Sequence, residues 1–157
     1  THSSVNNIYP GCANNQWACG FWPGAIWLAY EATGDEKFKT AALIQVDSFA
    51  DRIARKVEVD HHDMGFLYSP TCVAAWKLVG SEKGKNAAIA AADQLLTRYQ
   101  PSGRFLQAWC TMDDPDTYRY IIDCMLNVPL LYWAPPTPPL RWQTPSGRTA
   151  APTSPSL

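Results

Sequence analysis

An all-α fold of stacked helical hairpins is what this sequence predicts, and three observations lead there. The first is an internal repeat. Leu28 to Ile53 realigns on Ala74 to Tyr99 at a constant offset of 46 residues, so that Thr33-Gly34-Asp35-Glu36-Lys37 becomes Val79-Gly80-Ser81-Glu82-Lys83. Ala41, Ala42, Asp47 and Arg52 then recur as Ala87, Ala88, Asp93 and Arg98. A period of this length without alternating strand patterns marks helix pairs stacked side by side. The second observation is punctuation: Gly34 supplies a left-handed helix end and Asp35 opens the next helix. The third is a contrast within each pair. Its first helix is apolar all round and its second is amphipathic, which suits inner helices wrapped by outer ones.

Taken in order, Thr1 to Gln16 is polar, Asn-rich and aperiodic, and is expected to be an arm or loop. Residues 17–134 form the helical domain. It opens with the apolar run Phe21-Trp22-Pro23-Gly24-Ala25-Ile26-Trp27-Leu28, and nearly all of it reads as helix. In the outer helix after Asp35, Ala41, Ile44, Phe49 and Ile53 form the expected core stripe, while Lys37, Lys39, Asp51 and Arg55 take the other face. Tyr99-Gln100-Pro101-Ser102-Gly103 and Asp113-Asp114-Pro115-Asp116 carry turn chemistry, and the short segment Arg104 to Trp109 between them is expected to be extended.

A third repeat begins near Asp123, with Trp133-Ala134 aligned on Leu28-Ala29, but Pro135-Pro136-Thr137-Pro138-Pro139 replaces its continuation. Eight of the thirteen prolines lie between Pro129 and Pro155, and no acidic residue follows Asp123. Residues 135–157 are therefore expected to be disordered. The cut in mid-helix suggests a frameshifted end of a longer coding sequence, with a genuine proline-rich linker as the alternative. Because the chain starts at Thr1 without a methionine, its true amino terminus is expected to be missing.

Bulk composition narrows the function classes. A chain of 157 residues with 46% hydrophobic and 17% charged residues can bury one core. A net charge of −1 without a basic cluster gives no footprint for nucleic acid, and no apolar run is long enough to span a bilayer. Five cysteines, Cys12, Cys19, Cys72, Cys110 and Cys124, are an odd number without C-x-x-C spacing. They read as buried reduced thiols, and point to a cytoplasmic location.

Two aspartates break apolar runs. Asp63 lies in His61-His62-Asp63-Met64-Gly65-Phe66 and Asp123 in Ile121-Ile122-Asp123-Cys124-Met125. They hold the same slot of successive hairpins, the slot that Trp17 holds in the first. Two carboxylates aimed into one cavity can divide acid and base roles. The competing reading is that each aspartate caps its inner helix. His62 is expected to line the cavity beside Asp63, and His61 to be structural. A metal is not expected, because adjacent histidines diverge and no third ligand cluster is visible. Trp17 and Trp109 can stack on a sugar ring, or else are core residues, and seven tryptophans favour a carbohydrate cleft. There is no G-x-S-x-G and no Gly-rich phosphate loop.

These motifs together resemble the unsaturated glucuronyl hydrolases of glycoside hydrolase family 88. The likeness rests on Trp17-x-x-Gly20-Phe21-Trp22, the Thr33-Gly34-Asp35-Glu36-Lys37 turn, Asp60-His61-His62-Asp63-Met64-Gly65-Phe66-Leu67-Tyr68 and Gln107-Ala108-Trp109. Ile121-Ile122-Asp123-Cys124, Asn127 and Pro129-Leu130-Leu131-Tyr132-Trp133 complete it. The resemblance implies an incomplete (α/α)6 toroid, about two and a half hairpins of six, acting on lyase-generated oligosaccharides with a 4,5-unsaturated uronic acid at the non-reducing end. It implies that Asp123 protonates C4 of the vinyl ether and then activates the water that adds at C5, with Asp63 as second carboxylate. It also implies substrate contacts for Trp17, His62 and Trp109, and no metal or organic cofactor. Cys110 departs from the glycine common in the family, and Cys19 is also atypical. With the family's second half missing, this chain alone is expected to be inactive. A noncatalytic carbohydrate-binding repeat and an unsaturated rhamnogalacturonyl hydrolase are the alternatives.

Overall fold

The structure, a computed structural model, describes residue 4 and residues 6–135. The expected disorder or frameshift of the tail concerns residues that lie, apart from Pro135, outside the described ones. Seven α-helices and one small hairpin make up the described chain: α1 (Phe21–Thr33), α2 (Glu36–Ala54), α3 (Met64–Tyr68), α4 (Ala74–Val79), α5 (Glu82–Leu96), β1 (Tyr99–Gln100), β2 (Phe105–Leu106), α6 (Cys124–Asn127) and α7 (Pro129–Trp133). None of these helices is long and apolar enough to cross a membrane.

The two repeats end their inner helices in the same way. Gly34 and Gly80 take φ of 68° and 67°, and their N–H groups return to the carbonyls of Tyr30 and Trp76. Only a residue without Cβ adopts this conformation at little cost. Asp35 and Ser81 then cap the outer helices, the Asp35 side chain accepting from Lys37 N–H and the Ser81 hydroxyl from Gly84 N–H.

The inner helix of the second hairpin is α3 and α4 joined by a π-helical turn at Ser69–Val73. Pro70 sits in that turn, where the lost N–H of a proline would otherwise break the ladder. Its ring packs on α1 at Gly24, where an added Cβ would come within 2.8 Å of Pro70 Cβ. The same turn receives a hydrogen bond from Trp27 Nε1 to Thr71 O, 3.0 Å.

Outer helices α2 and α5 pack on each other and on these inner helices. The buried stripe of α2 runs through Ala42, Val46, Phe49, Arg52 and Ile53. Of the expected stripe, Phe49 and Ile53 are buried, whereas Ile44 is 61% exposed and Val46 takes its place in the core. Residues 97–123 correct the reading of a nearly all-helical domain. They form the hairpin, with Tyr99 opposite Leu106, and a long irregular passage containing one 3-10 turn at Pro115–Thr117. Phe105–Leu106 is extended, as expected.

The last helices leave apolar side chains uncovered. Ile122, Met125, Leu126 and Tyr132 are 86%, 61%, 63% and 87% exposed. Of the thiols, Cys72 and Cys124 are buried but Cys12 and Cys110 are exposed, so the expected burial holds for part of the set; all five are free.

Candidate active site

Asp63 and Asp123 each stand at the residue before a helix, α3 and α6, yet neither side chain makes a capping hydrogen bond. The capping alternative therefore loses its physical basis, and both carboxylates are left for other work. They face a common partner. His62 Nε2 lies 3.4 Å from Asp63 Oδ1 and 3.4 Å from Asp123 Oδ1. The imidazole is only 1% exposed, against 14% and 33% for the two aspartate side chains. Burial holds the His62 pKa below its ordinary value; the two carboxylates pull it upward, and His61 and Arg98 push the same way as burial.

The spacing of the carboxylates is fixed by backbone contact. Gly65 rests against Asn127 so closely that an added Cβ would overlap its backbone, including the carbonyl oxygen at 2.6 Å. Asn127, fully buried, then clasps both segments: its Oδ1 accepts from Phe66 N–H at 2.9 Å and its Nδ2 donates to Asp123 O at 3.2 Å. A second close approach, Gly20 against Phe66 and Leu67, brings the segment bearing Trp17 onto α3.

His61 supports Asp63 from behind. Its Nε2 contacts Glu58 O at 3.0 Å, and its Nδ1 accepts from Asp63 N–H and lies 3.1 Å from Asp63 Oδ2. Trp109 stands edge-on to His62, ring centres 6.3 Å apart, and is 41% exposed. A backbone bond from His62 N–H to Ala108 O, 2.9 Å, ties that loop to the cluster. His62, Asp63, Asp123 and Trp109 are thus brought together. The Trp17 ring packs on Phe66, three residues after Asp63, and on Phe21, and is 51% exposed.

Two buried arginines, visible in the sequence only as repeat markers, hold the aromatic loops. Arg52 donates to Asn14 Oδ1, Gln16 O, Val57 O and Glu58 O, fixing the residues that precede Trp17. Arg98 donates to Gln107 O, Cys110 O and Asp60 Oδ1, bracketing Trp109. They occupy the same register of α2 and of the turn after α5, so their recurrence was the available signal. Gln107, also fully buried, adds bonds to Trp109 O and Thr111 O. Cys110 sits at φ 68°, a left-handed conformation in which glycine is at ease.

No protein-family model matches the chain. The chain is 46% identical over 134 residues to the unsaturated chondroitin disaccharide hydrolase of Streptococcus pneumoniae, covering 85% of this chain and 34% of that protein. It superposes on the crystal structure of an unsaturated glucuronyl hydrolase from Streptococcus agalactiae with a TM-score of 0.81 at 47% identity, covering 85% of this chain and 34% of the other. A mutant of that hydrolase complexed with dGlcA-GalNAc6S matches with a TM-score of 0.68 at 40% identity, covering 85% and 30%. The chain spans about a third of the length of the curated relatives it matches. Its hairpins form part of an (α/α)6 toroid.

Proposed function

We propose that this chain, a relative of the unsaturated glucuronyl hydrolases that spans a third of their length, carries the paired acids of such an enzyme. The observation that carries the reading is that both aspartates are freed from capping and converge on one buried histidine. The substrate is an oligosaccharide left by a polysaccharide lyase, with a 4,5-unsaturated uronic acid at its non-reducing end.

Asp123, the more exposed carboxyl, gives its proton to C4 of the vinyl ether. Positive charge then develops at C5 and on the ring oxygen, and the Asp123 carboxylate takes a proton from the water that adds at C5. The hemiketal formed opens and releases the shortened sugar. Displacement at the anomeric carbon plays no part, so the carboxylate spacings of ordinary glycosidases do not apply. Asp63 holds ring hydroxyls and supports the charge on Asp123, with His61 fixing its orientation. His62 contacts the substrate between the acids, and Trp109 and Trp17 offer indole faces to sugar rings. The free thiols support a cytoplasmic setting.

The chain alone is expected to be inactive, because the remaining two thirds of the relatives have no counterpart in it. The test is a chimera in which residues 17–134 replace their equivalent in the S. pneumoniae hydrolase. The C4=C5 ultraviolet absorbance of an unsaturated chondroitin disaccharide should decay with the chimera and persist with Asp123→Asn. Persistent absorbance with the unsubstituted chimera, or equal decay with Asp123→Asn, overturns the proposal.

A further inference from the structure

We propose that His62, Asp63 and Asp123 form a binding site for a divalent transition ion of the zinc type. The three ligand atoms, one from each residue, lie within 4.8 Å of one another. Zinc bound tetrahedrally at about 2.0–2.2 Å holds its ligand atoms roughly 3.3–3.6 Å apart. Both His62 to aspartate distances, 3.4 Å, already match that spacing. Only the edge between the two carboxylates would have to adjust.

The independent observation is unmet bonding. Both ring nitrogens of His62 and Oδ1 of Asp123 are buried without a hydrogen-bond partner among the described residues. A buried imidazole that meets two carboxylates at 3.4 Å yet makes a hydrogen bond to neither is costly and uncommon. One N–H on Nε2 cannot serve two carboxylate oxygens at once with good geometry, whereas a cation placed between them can. Of the three side chains Asp123 is the most exposed, at 33%, although its Oδ1 is buried with the cluster. The nitrogen ligand selects zinc-like ions over magnesium or calcium, which prefer all-oxygen sites. This inference does not depend on the hydrolase reading. Were both correct, zinc would occupy the acids and inhibit.

The test uses the whole purified chain, stripped of metal, titrated calorimetrically with zinc chloride, and its absorption spectrum with cobalt chloride. One ion should bind per chain, with an oxygen- and nitrogen-type cobalt spectrum. His62→Gln and Asp123→Asn should each weaken binding at least tenfold with unchanged helical circular dichroism. Asp123 is part-exposed and caps nothing, so its variant reports on the site even where His62→Gln fails to fold. Absence of binding, binding undiminished in Asp123→Asn, thiolate-type cobalt absorption or equal affinity for magnesium each overturns the proposal. None of these readouts involves a sugar, so failure here leaves the chimera assay untouched.

Discussion

Replacing Gly65 by alanine should separate the two carboxylates and destabilise the fold. The added methyl would meet backbone atoms of Asn127, with the carbonyl oxygen at 2.6 Å and the carbonyl carbon at 2.8 Å. Neither can swing aside as a side chain would. Overpacking of a filled core costs about 1–3 kcal/mol. The shift needed would also stretch the 2.9 Å bond from Phe66 N–H to Asn127 Oδ1, worth about 1 kcal/mol. Alanine returns at most about 1 kcal/mol of helix propensity. The net loss is about 2 kcal/mol, which at an m value of about 1–3 kcal/mol/M lowers the urea midpoint by roughly 0.7–2 M. Urea melts followed by circular dichroism measure it. Gly11→Ala is the control, since a Cβ there meets nothing within 4 Å. If Gly65→Ala melted with wild type, the close approach would not be what sets the spacing of the acids.

Arg98→Met should cost about 3 kcal/mol and open the loop around Trp109 to proteases, because it leaves buried carbonyls without their charged donor. Arg55→Met, which removes only an exposed i,i+4 pair with Asp51, should cost under about 0.5 kcal/mol; equal losses in the two would show that the Arg98 bonds do not hold the Trp109 loop. Cys110→Gly should stabilise by about 1 kcal/mol by relieving the left-handed backbone at φ 68°, and a lower melting temperature would contradict that. Burial pushes the Cys72 thiol up to about 12 and raises Cys124 as well. At pH 8, iodoacetamide should therefore modify Cys12 and Cys110 in the native chain but Cys72 and Cys124 only after unfolding, and mass spectrometry of native-state digests showing prompt labelling of Cys72 would refute the burial.

What the sequence disclosed was whatever repeats or punctuates. The offset of the two hairpins, the Gly34 end and the Asp35 start were all visible, because each depends on local backbone chemistry. The C-terminal half of the α2 stripe, Phe49 and Ile53, was legible, but apolarity alone misplaced the rest: Ile44 is exposed, while the charged Arg52 lies in the buried stripe. The turn at Asp113 to Asp116 and the extended run up to Trp109 were legible too, but the path of the chain between and after them comes from long-range bonds such as Ala108 N–H to Arg119 O, which nothing local announces. The aspartates and His62 were singled out as polar residues in apolar runs. Their convergence on one nitrogen, and the Gly65 to Asn127 touch that spaces them, belong to tertiary structure alone.

The twin arginines also say how the aromatic walls can move. A guanidinium stays charged even where burial opposes it, as it does for Arg52. Neither wall can then soften by degrees, since a half-released guanidinium is stranded in a dry interior. Release of the Trp17 or Trp109 segment should be a wetting step, all or nothing, in which water floods the arginine socket as the loop departs. Protection of the loop amides from hydrogen exchange should accordingly be lost together, and their exchange should slow in osmolytes that withdraw water.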